Sequence, residues 1–369
     1  MIEDSEIRET LNDNSDQMNT RILSYNIFMR PPGISSDKLG DLKNERLQKV
    51  ITHILPKYDI ICFQEIFTRL NCRRDKLINA AKDAGYKYFS IPPEQPFFSL
   101  YFINSGLLTI SRHKILKTEF FPFDHGSGVD RAAYKGIMYS RIEIEPGKVF
   151  NLFNVHLQAH YHSEDQDNIE SRLNQISEMR RYIEICLTRY TNIDQGPDSD
   201  LQFKEPIYII GDFNVCANKH LFPREGYLRR NTTNAHFYNF IEEAVPADPK
   251  FSEYDYLQYM LKRPFSFSTI ENLVVDLLKE KYGFHPITFV ESIHSTLLDS
   301  EFQSLTENDS MDFIFQIVPP NQDAKKLKLQ ADPSHCQVQA FAVQDMRFKF
   351  ISDHLGIEFK VHQISGNNL

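Results

Sequence analysis

The sequence contains no tryptophan, only five scattered cysteines and no long apolar run. The cysteines form no CxxC pair and no Cys/His cluster, which argues against a structural zinc site and against a disulfide framework. No apolar stretch approaches the roughly 18–20 residues that a membrane-spanning helix needs. The first twenty residues are polar and acidic, unlike a secretory signal. We therefore expect a cytoplasmic protein, soluble or bound peripherally to a membrane, in a reducing compartment.

Several catalytic signatures are absent as well: the GxSxG elbow, a nucleophilic Cys/His pattern, HExxH and the Walker A loop. The net charge of −9 argues against a general nucleic-acid-binding protein, although a local basic groove can lie on an acidic protein. With 369 residues, 41% of them hydrophobic, the chain can form one large domain or two ordinary ones. Residues 1–19 are rich in Asp, Glu, Asn and Ser, which predicts a flexible N-terminal tail.

Strand and helix patterns alternate along the next two hundred residues, which predicts an α/β or α+β fold. Compact or alternating apolar runs predict strands over residues 21–26, 58–63, 106–111, 136–144, 149–157, 206–210, 311–316 and 348–360. Apolar residues at helical spacing predict helices over residues 42–55, about 75–84, a long stretch through Ile169 and Leu187, and 272–282. Residues 191–205 read as a polar linker, and most of residues 215–305 have no clear pattern.

Five strand-like runs carry polar residues of catalytic type at or near their ends, namely Asn26, Glu65, His156, Asp212 with Asn214, and Asp353 with His354. Each alone has an ordinary structural explanation, such as a turn or a solvated carboxylate. Together they suit one chemistry, because Mg²⁺ takes carboxylate and amide oxygens such as those of Glu65 and Asn26. Histidines exchange protons near neutral pH. The set indicates metal-assisted attack of water on a phosphoester.

These residues lie in six short motifs, in the order Ser24-Tyr25-Asn26-Ile27, Phe63-Gln64-Glu65, Asn154-Val155-His156-Leu157, Gly211-Asp212-Phe213-Asn214, Met311-Asp312-Phe313-Ile314 and Ser352-Asp353-His354. The series resembles the endonuclease/exonuclease/phosphatase superfamily, which includes DNase I-like nucleases, inositol-polyphosphate 5-phosphatases and neutral sphingomyelinases. The resemblance implies a DNase I-like two-sheet β-sandwich flanked by helices, formed as a single catalytic domain over residues 20–362.

By this resemblance Glu65 is the principal Mg²⁺ ligand, with Asn26 and Asp353 as further ligands; Mn²⁺ is the alternative ion. His354 would be the general base, oriented by Asp312. Asp212 and Asn214 would position the water and the phosphate, and His156 would bond a phosphoryl oxygen or protonate the leaving oxygen. The family pattern leaves open whether Asp212 or His354 is the base.

Three segments resemble the sphingomyelinase branch in particular. They are Asp130-Arg131-Ala132-Ala133-Tyr134-Lys135-Gly136, then His156-Leu157-Gln158-Ala159, and Arg30-Pro31-Pro32 followed by Lys43-Asn44-Glu45-Arg46. In that branch Asp130 and Lys135 would act as a switch, and Lys135 and Gly136 would help to shape the substrate site. The resemblance implies hydrolysis of sphingomyelin to ceramide and phosphocholine, with a phospholipid substrate, a peripheral membrane surface and no obligate protein partner.

Other functions stay open. A lysophospholipid phospholipase C would use the same residues, and a nuclease could grip a phosphate backbone with Arg69, Arg73, Arg74 and Lys76. An inositol-polyphosphate phosphatase is disfavoured, because its Trp-Cys-Asp-Arg signature is replaced by Met311-Asp312-Phe313. A scaffold without activity is disfavoured because every expected catalytic position is filled. The aromatic stretch over residues 96–102 fits either a membrane-contacting loop or a buried strand.

Overall fold

The structure is a computed structural model that describes residues 19–34, 40–94, 101–159, 166–191, 205–217, 252–290, 308–318, 329–344, 346 and 348–363. Most of the predicted N-terminal tail, most of the linker over 191–205 and large parts of 215–305 lie outside these described residues. The aromatic stretch over 96–102 is described only from Tyr101 onward.

The described chain contains fifteen strands, which are β1 (Thr20–Met29), β2 (Ile60–Ile66), β3 (Tyr88–Ser90), β4 (Leu108–Ser111), β5 (Lys114–Pro122), β6 (Gly136–Glu145), β7 (Lys148–His156), β8 (Ile207–Asp212), β9 (Leu273–Asp276), β10 (Phe289–Val290), β11 (Asn308–Asp309), β12 (Asp312–Val318), β13 (Leu329–Ala331), β14 (Gln337–Gln339) and β15 (Gly356–Gln363). Most of them form two mixed sheets. The first has the order β13-β15-β1-β2-β4-β3, with β14 also paired to β15. The second has the order β5-β6-β7-β8-β12-β9, and β10 and β11 form a separate two-stranded sheet.

The helices of the described residues are α1 (Lys43–Lys49), α2 (Arg73–Asp83), α3 (Gln166–Tyr190), α4 (Glu253–Lys262) and α5 (Leu277–Tyr282). Helix α1 continues through a π turn and a 3₁₀ turn as far as Lys57, which matches the predicted helix over 42–55. Helix α4 was not predicted, although Ser252 and Asp255 form a capping box at its start. None of the helices in the described ranges is both long and apolar enough to cross a membrane.

Three apolar clusters define the layers. One lies between the two sheets and includes Ile60, Phe150 and Ile314. A second packs α1 and α2 on the outer face of the first sheet, and a third packs α3 and α4 on the outer face of the second sheet. This order of helix, sheet, sheet and helix confirms the predicted α/β sandwich.

Polar groups also join the two sheets near one end of this inner layer. The Gln64 amide on β2 donates to Asn154 Oδ1 on β7 (2.7 Å), and the Asn154 amide donates to the carbonyl of Phe63 (3.2 Å). Both side chains are buried. A buried amide whose N–H groups have acceptors costs little free energy. If the two sheets were shifted against each other, these N–H groups would lose their acceptors, so the Gln64–Asn154 contact fixes how the sheets align.

Two predicted elements are wrong in part. The helix over 272–282 is a strand, β9, followed by the short helix α5, because Leu273 to Asp276 pair with β12. The Asp276 carboxylate then caps α5 by accepting from the amide of Lys279. The strand predicted over 348–360 begins only at Gly356, and the residues before it form the loop that carries Ser352, Asp353 and His354.

Candidate active site

Polar side chains from both sheets meet at one end of the sandwich. His156 is the last residue of β7, Asp212 is the last of β8 and Asp312 is the first of β12. Strand β8 runs parallel to β7 and antiparallel to β12, so these three positions lie at the same edge of the second sheet. They are also in register, with Asp212 opposite both His156 and Asp312. Their side chains therefore share one face.

Asn26 connects the first sheet to this row. Its Nδ2 donates to Asp212 Oδ2 (2.9 Å) and to Glu65 Oε1 (3.2 Å). Its Oδ1 accepts from the amide of Phe28 (3.0 Å). In this arrangement Asn26 orients two carboxylates, while the metal-ligand role predicted for it would use the oxygen that Phe28 already engages.

Glu65 is held in an unusual backbone conformation. Its φ of 60° lies in the left-handed region, where residues with a side chain are uncommon outside functional sites. Burial raises the pKa of its carboxyl, and the neighbouring Asp353 carboxylate raises it further. Its buried Oε2 has no hydrogen-bond partner among the residues that the structure describes. A cation is the partner that would compensate such an oxygen.

His354 and Asp312 form a buried pair. His354 Nδ1 lies 2.9 Å from Asp312 Oδ2, and His354 Nε2 lies 3.6 Å from Asp212 Oδ2. Burial by itself would lower the pKa of His354, but Asp312 and Asp212 outweigh it and raise that pKa well above its usual range. With Nδ1 facing the carboxylate, Nε2 is the ring atom turned towards the rest of the site.

Asp212 is the central carboxylate of the site. Burial raises its pKa to about 6, and His354 acts in the opposite direction. Its Oδ1 accepts from the amide of Asn214 (2.9 Å), whose φ of 52° belongs to the tight turn after β8. The Asn214 side chain donates to the carbonyl of Leu157 (3.3 Å).

Lys135 connects the predicted substrate segment to His156. Its buried ammonium lies 2.7 Å from Asp130 Oδ2 and 3.2 Å from His156 Nε2, and it donates to the carbonyl of Leu157 (2.7 Å). Burial lowers the pKa of His156 well below its usual value, and Lys135 and His354 lower it further. Facing a cationic donor, Nε2 acts as an acceptor. The ring hydrogen then lies on Nδ1, and Nε2 could fill the roles predicted for His156 only if it carried a hydrogen and lost this contact with Lys135.

Two glycines let strands approach closely beside these residues. A Cβ at Gly136, the residue opposite His156, would lie 2.2 Å from a carbonyl oxygen of β5. Gly211, just before Asp212, has a φ of 141°, and a Cβ there would lie 2.1 Å from the carbonyl oxygen of Val155. Gly136 therefore has a packing reason to be glycine, in addition to the substrate role predicted for it.

The loop before β15 is tied to β1 at the site. The Ser352 hydroxyl lies 2.7 Å from the carbonyl oxygen of Asn26 and 3.1 Å from Asp353 Oδ1. Arg46 donates to the carbonyls of Ile27 and Ile351, both at 2.8 Å. These contacts place Asp353 beside Glu65 and bring the last sequence motif to the first.

All eight predicted metal and catalytic residues thus lie at one end of the sandwich. Among the described residues, two groups offer ligand atoms within 4.8 Å of one another: Glu65 with His156 and Asp212, and Asp212 with Asp312 and His354. Four buried or largely buried carboxylates, those of Glu65, Asp212, Asp312 and Asp353, lie here, and the basic groups of the described chain that act on them include Lys135, Arg46 and His354. This cluster of carboxylate oxygens fits a hard divalent cation.

The basic residues considered for a nuclease are largely committed to contacts within the chain. Arg69 donates to the carbonyl of Phe102, Arg74 pairs with Glu94 (3.3 Å), and Arg73 Nε donates to Asn44 Oδ1 (3.3 Å). The three arginines thus already have partners within the chain, which weakens the argument for the nuclease alternative.

Sequence reasoning gave no role to several residues that hold the site together. Gln64, Asn154 and Ser352 all belong to the recognised motifs, and each makes a buried contact that aligns one part of the site with another. Their position inside the motifs was the available signal. Polar residues within a buried strand need a buried partner, and that requirement predicts such contacts without naming the partner.

Comparison with known proteins agrees with this geometry. The sequence profile described as "Endonuclease/Exonuclease/phosphatase family" matches residues 23–268. A protein of Dictyostelium discoideum named as a sphingomyelinase is 25% identical over 357 residues, covering 82% of this chain and 71% of that protein. Sphingomyelinase C 2 of Leptospira interrogans is 26% identical over 218 residues, covering 56% of this chain and 32% of that protein.

Solved structures share the fold. A crystal structure of a beta toxin mutant from Staphylococcus aureus with bound magnesium ions superimposes with a TM-score of 0.56 at 18% identity, covering 94% of this chain and 100% of that chain. A second crystal structure of beta toxin from Staphylococcus aureus gives a TM-score of 0.59 at 18% identity, covering 92% of this chain and 99% of that chain.

Proposed function

Because the chain belongs to the endonuclease/exonuclease/phosphatase family, we propose that it is a Mg²⁺-dependent sphingomyelinase that hydrolyses sphingomyelin to ceramide and phosphocholine. Family membership and the sphingomyelinase relatives make the chain a phosphoric diester hydrolase of the sphingomyelinase-like kind. The observation that carries the finer proposal is the contact of Lys135 with both Asp130 and His156, which joins the sphingomyelinase-like segment to the catalytic end of the sandwich.

The Mg²⁺ proposal rests on Glu65, whose buried Oε2 has no hydrogen-bond partner in the described chain. Glu65 and Asp212 would hold the ion, with Asp353 beside them and Asn26 orienting the two carboxylates. A bound divalent ion supplies positive charge to a phosphoryl oxygen and lowers the pKa of a bound water. The magnesium-containing beta toxin with the same fold supports this choice, and Mn²⁺ would use the same oxygen ligands.

His354 is proposed as the general base. A divalent cation beside Asp212 would offset the negative charge that raises the pKa of His354, so that the neutral ring would take a proton on Nε2 from the attacking water. As the water oxygen bonds to phosphorus, the bond to the ceramide oxygen breaks, and that oxygen takes up a proton from solvent. The imidazolium that forms is stabilised by Asp312 on the opposite side of the ring. Lys135 would provide a positive charge, and the Asn214 amide a hydrogen bond, to the phosphoryl oxygens as negative charge develops there. Asp212 faces Nε2 and would orient the water.

The proposal is tested by phosphocholine release from micellar sphingomyelin, measured with Mg²⁺ and with EDTA. We expect metal-dependent release that falls by several orders of magnitude in His354→Ala. The variant His335→Ala changes an exposed histidine and serves as a matched control that keeps full activity. Absence of metal-dependent release alongside rapid nicking of plasmid DNA would reject the proposal in favour of a nuclease.

We also infer that the protein engages the membrane surface through apolar loops beside the site. Leu70 is 85% exposed, Val129 is 68% exposed and Phe102 is 58% exposed. Leu70 lies in the loop after the Glu65 strand, and Val129 lies in the 3₁₀ turn that carries Asp130. The backbone amide of Phe102 donates to the carbonyl of Ala132 in the same turn. Such side chains would lower the free energy of binding by entering the interfacial layer of a bilayer.

Co-sedimentation with vesicles of sphingomyelin and phosphatidylcholine tests this surface. Leu70→Asp should weaken binding by about tenfold or more, since a buried leucine contributes roughly 1.5–3 kcal/mol. Leu273 is 62% exposed on β9, at the far edge of the second sheet, so Leu273→Asp is the matched control. Both variants should hydrolyse the soluble diester bis(p-nitrophenyl) phosphate at the unmodified rate. If Leu70→Asp and Leu273→Asp weaken vesicle binding equally, the loops beside the site are not the membrane-binding surface.

A further inference from the structure

We propose that Thr288 is a positioning residue that sets the distance between Asp312 and His354. This inference rests on the proposed function, in which His354 is the general base and Asp312 stabilises its protonated ring. Thr288 is completely buried and lies just before β10, outside every recognised motif. It touches none of the reacting atoms, and it acts through the backbone on either side of the pair.

The Thr288 side chain holds the start of β12. Its Oγ1 accepts hydrogen bonds from the amides of both Met311 and Asp312, each at 3.0 Å. Met311 immediately precedes β12 and Asp312 is its first residue, so the hydroxyl oxygen accepts from the two amides at the point where the Asp312 side chain leaves the strand. Removing this oxygen would leave two buried N–H groups without an acceptor, and the strand start would move to find one.

The Thr288 backbone holds the loop that carries His354. Its carbonyl accepts from the amide of Leu355 (2.7 Å), and the next residue, Phe289, forms an antiparallel bridge with His354 itself. The rings of Phe289 and His354 lie 5.1 Å apart between centroids. The His354 loop is therefore fastened to the same residue as the Asp312 amide.

Thr288 is thus attached both to the start of β12, which carries Asp312, and to the loop that carries His354. Its amide also donates to the carbonyl of Asp309 (3.0 Å), which fixes Thr288 against the strand preceding β12. The backbone bonds survive any substitution, whereas the two bonds to Oγ1 depend on a hydroxyl. The hydroxyl is therefore the part of this attachment that a substitution can remove.

The experiment compares Thr288→Val, which keeps the shape without the oxygen, with Thr288→Ser, which keeps the oxygen. The assays are sphingomyelin hydrolysis and hydrolysis of bis(p-nitrophenyl) phosphate. We expect kcat to fall by about 10- to 100-fold in Thr288→Val with KM unchanged, because supporting residues of a catalytic pair have effects of that size. Thr288→Ser should restore kcat to within about threefold. The proton resonance of His354 Nδ1–H should shift upfield in Thr288→Val and return in Thr288→Ser.

Thr20→Val is the matched control, because it removes another buried threonine hydroxyl, which lies at the start of β1 and contacts His113. It should change the melting temperature without changing kcat. An unchanged kcat in Thr288→Val, a Thr288→Ser variant as slow as Thr288→Val, or loss of folding in both variants would overturn the inference. If the unmodified protein hydrolyses the soluble diester but not sphingomyelin, the lipid proposal fails, and the Thr288 comparison still reports on the pair.

Discussion

Replacing Asp312 with asparagine should slow hydrolysis strongly while leaving substrate binding intact. The change keeps the shape of the side chain and the two amide bonds at the start of β12, but it removes the charge that faces His354 Nδ1 at 2.9 Å. An asparagine amide can also present its N–H to the ring, which would favour the tautomer with the proton on Nε2. That tautomer cannot accept a proton from water.

The size of the effect follows from the burial of the pair. Both side chains are nearly inaccessible to solvent, so the interaction is little screened. A hydrogen bond to a charged group contributes about 1.5–3 kcal/mol, and two unit charges 4 Å apart at an effective dielectric constant of 20 interact by about 4 kcal/mol. We therefore expect a loss of about 2–4 kcal/mol in transition-state stabilisation. This corresponds to a fall in kcat of roughly 30- to 1000-fold.

The measurement is kcat and KM for both sphingomyelin and bis(p-nitrophenyl) phosphate, with Asp332→Asn as a control at a more exposed carboxylate. The two substrates should lose the same factor in kcat, because the defect lies in proton transfer and not in lipid engagement. A fall of less than threefold would refute the assignment of His354 as the base. In that case Asp212, which also faces the water position, would become the base.

Three further perturbations test the scaffold around the site. Arg172→Met should destabilise the protein by about 3–5 kcal/mol in urea unfolding, because it leaves the fully buried Glu253 carboxylate unpaired. Gly136→Ala should cost about 2–3 kcal/mol in the same assay and reduce activity, since its Cβ would meet a strand carbonyl. The hydrogen bond with Glu178 raises the pKa of His125, so its stabilisation is complete below about pH 6.5 and fades as the pH rises through the higher folded pKa. Glu178→Gln should therefore make the melting temperature less dependent on pH over that range.

The strand and helix patterns were sufficient to predict the α/β or α+β class, whereas the two-sheet sandwich was implied by the family resemblance of the six motifs. Glu65, Asp212 and Asp312 each adjoin an apolar run that can only be a central strand. The placement of the site at one end of the sheets was likewise implied by the resemblance. This reasoning works because strand ends are fixed by a pattern that is local in sequence.

The parts that sequence reasoning missed depend on contacts between distant segments. Leu273 to Asp276 form a strand because β12 offers an edge to pair with, and no local pattern shows that edge. Likewise, the sequence shows Lys135 near Asp130 but not that its ammonium reaches His156. Thr288 lies in a stretch without any pattern, and its importance appears only when two amides from β12 are seen to converge on one hydroxyl.

The position of Asp212 Oδ2 explains why the family pattern leaves open whether Asp212 or His354 is the general base. Asp212 Oδ2 accepts from Asn26 and lies 3.6 Å from both His156 Nε2 and His354 Nε2. A proton on either Asp212 or His354 changes the charge that the other one faces, so the two groups titrate as a unit. Removing Asp212 would therefore disturb both the proposed cation ligands and the proposed base. A substitution at Asp312, which contacts Nδ1 on the opposite side of the His354 ring, separates the role of base from the role of cation ligand.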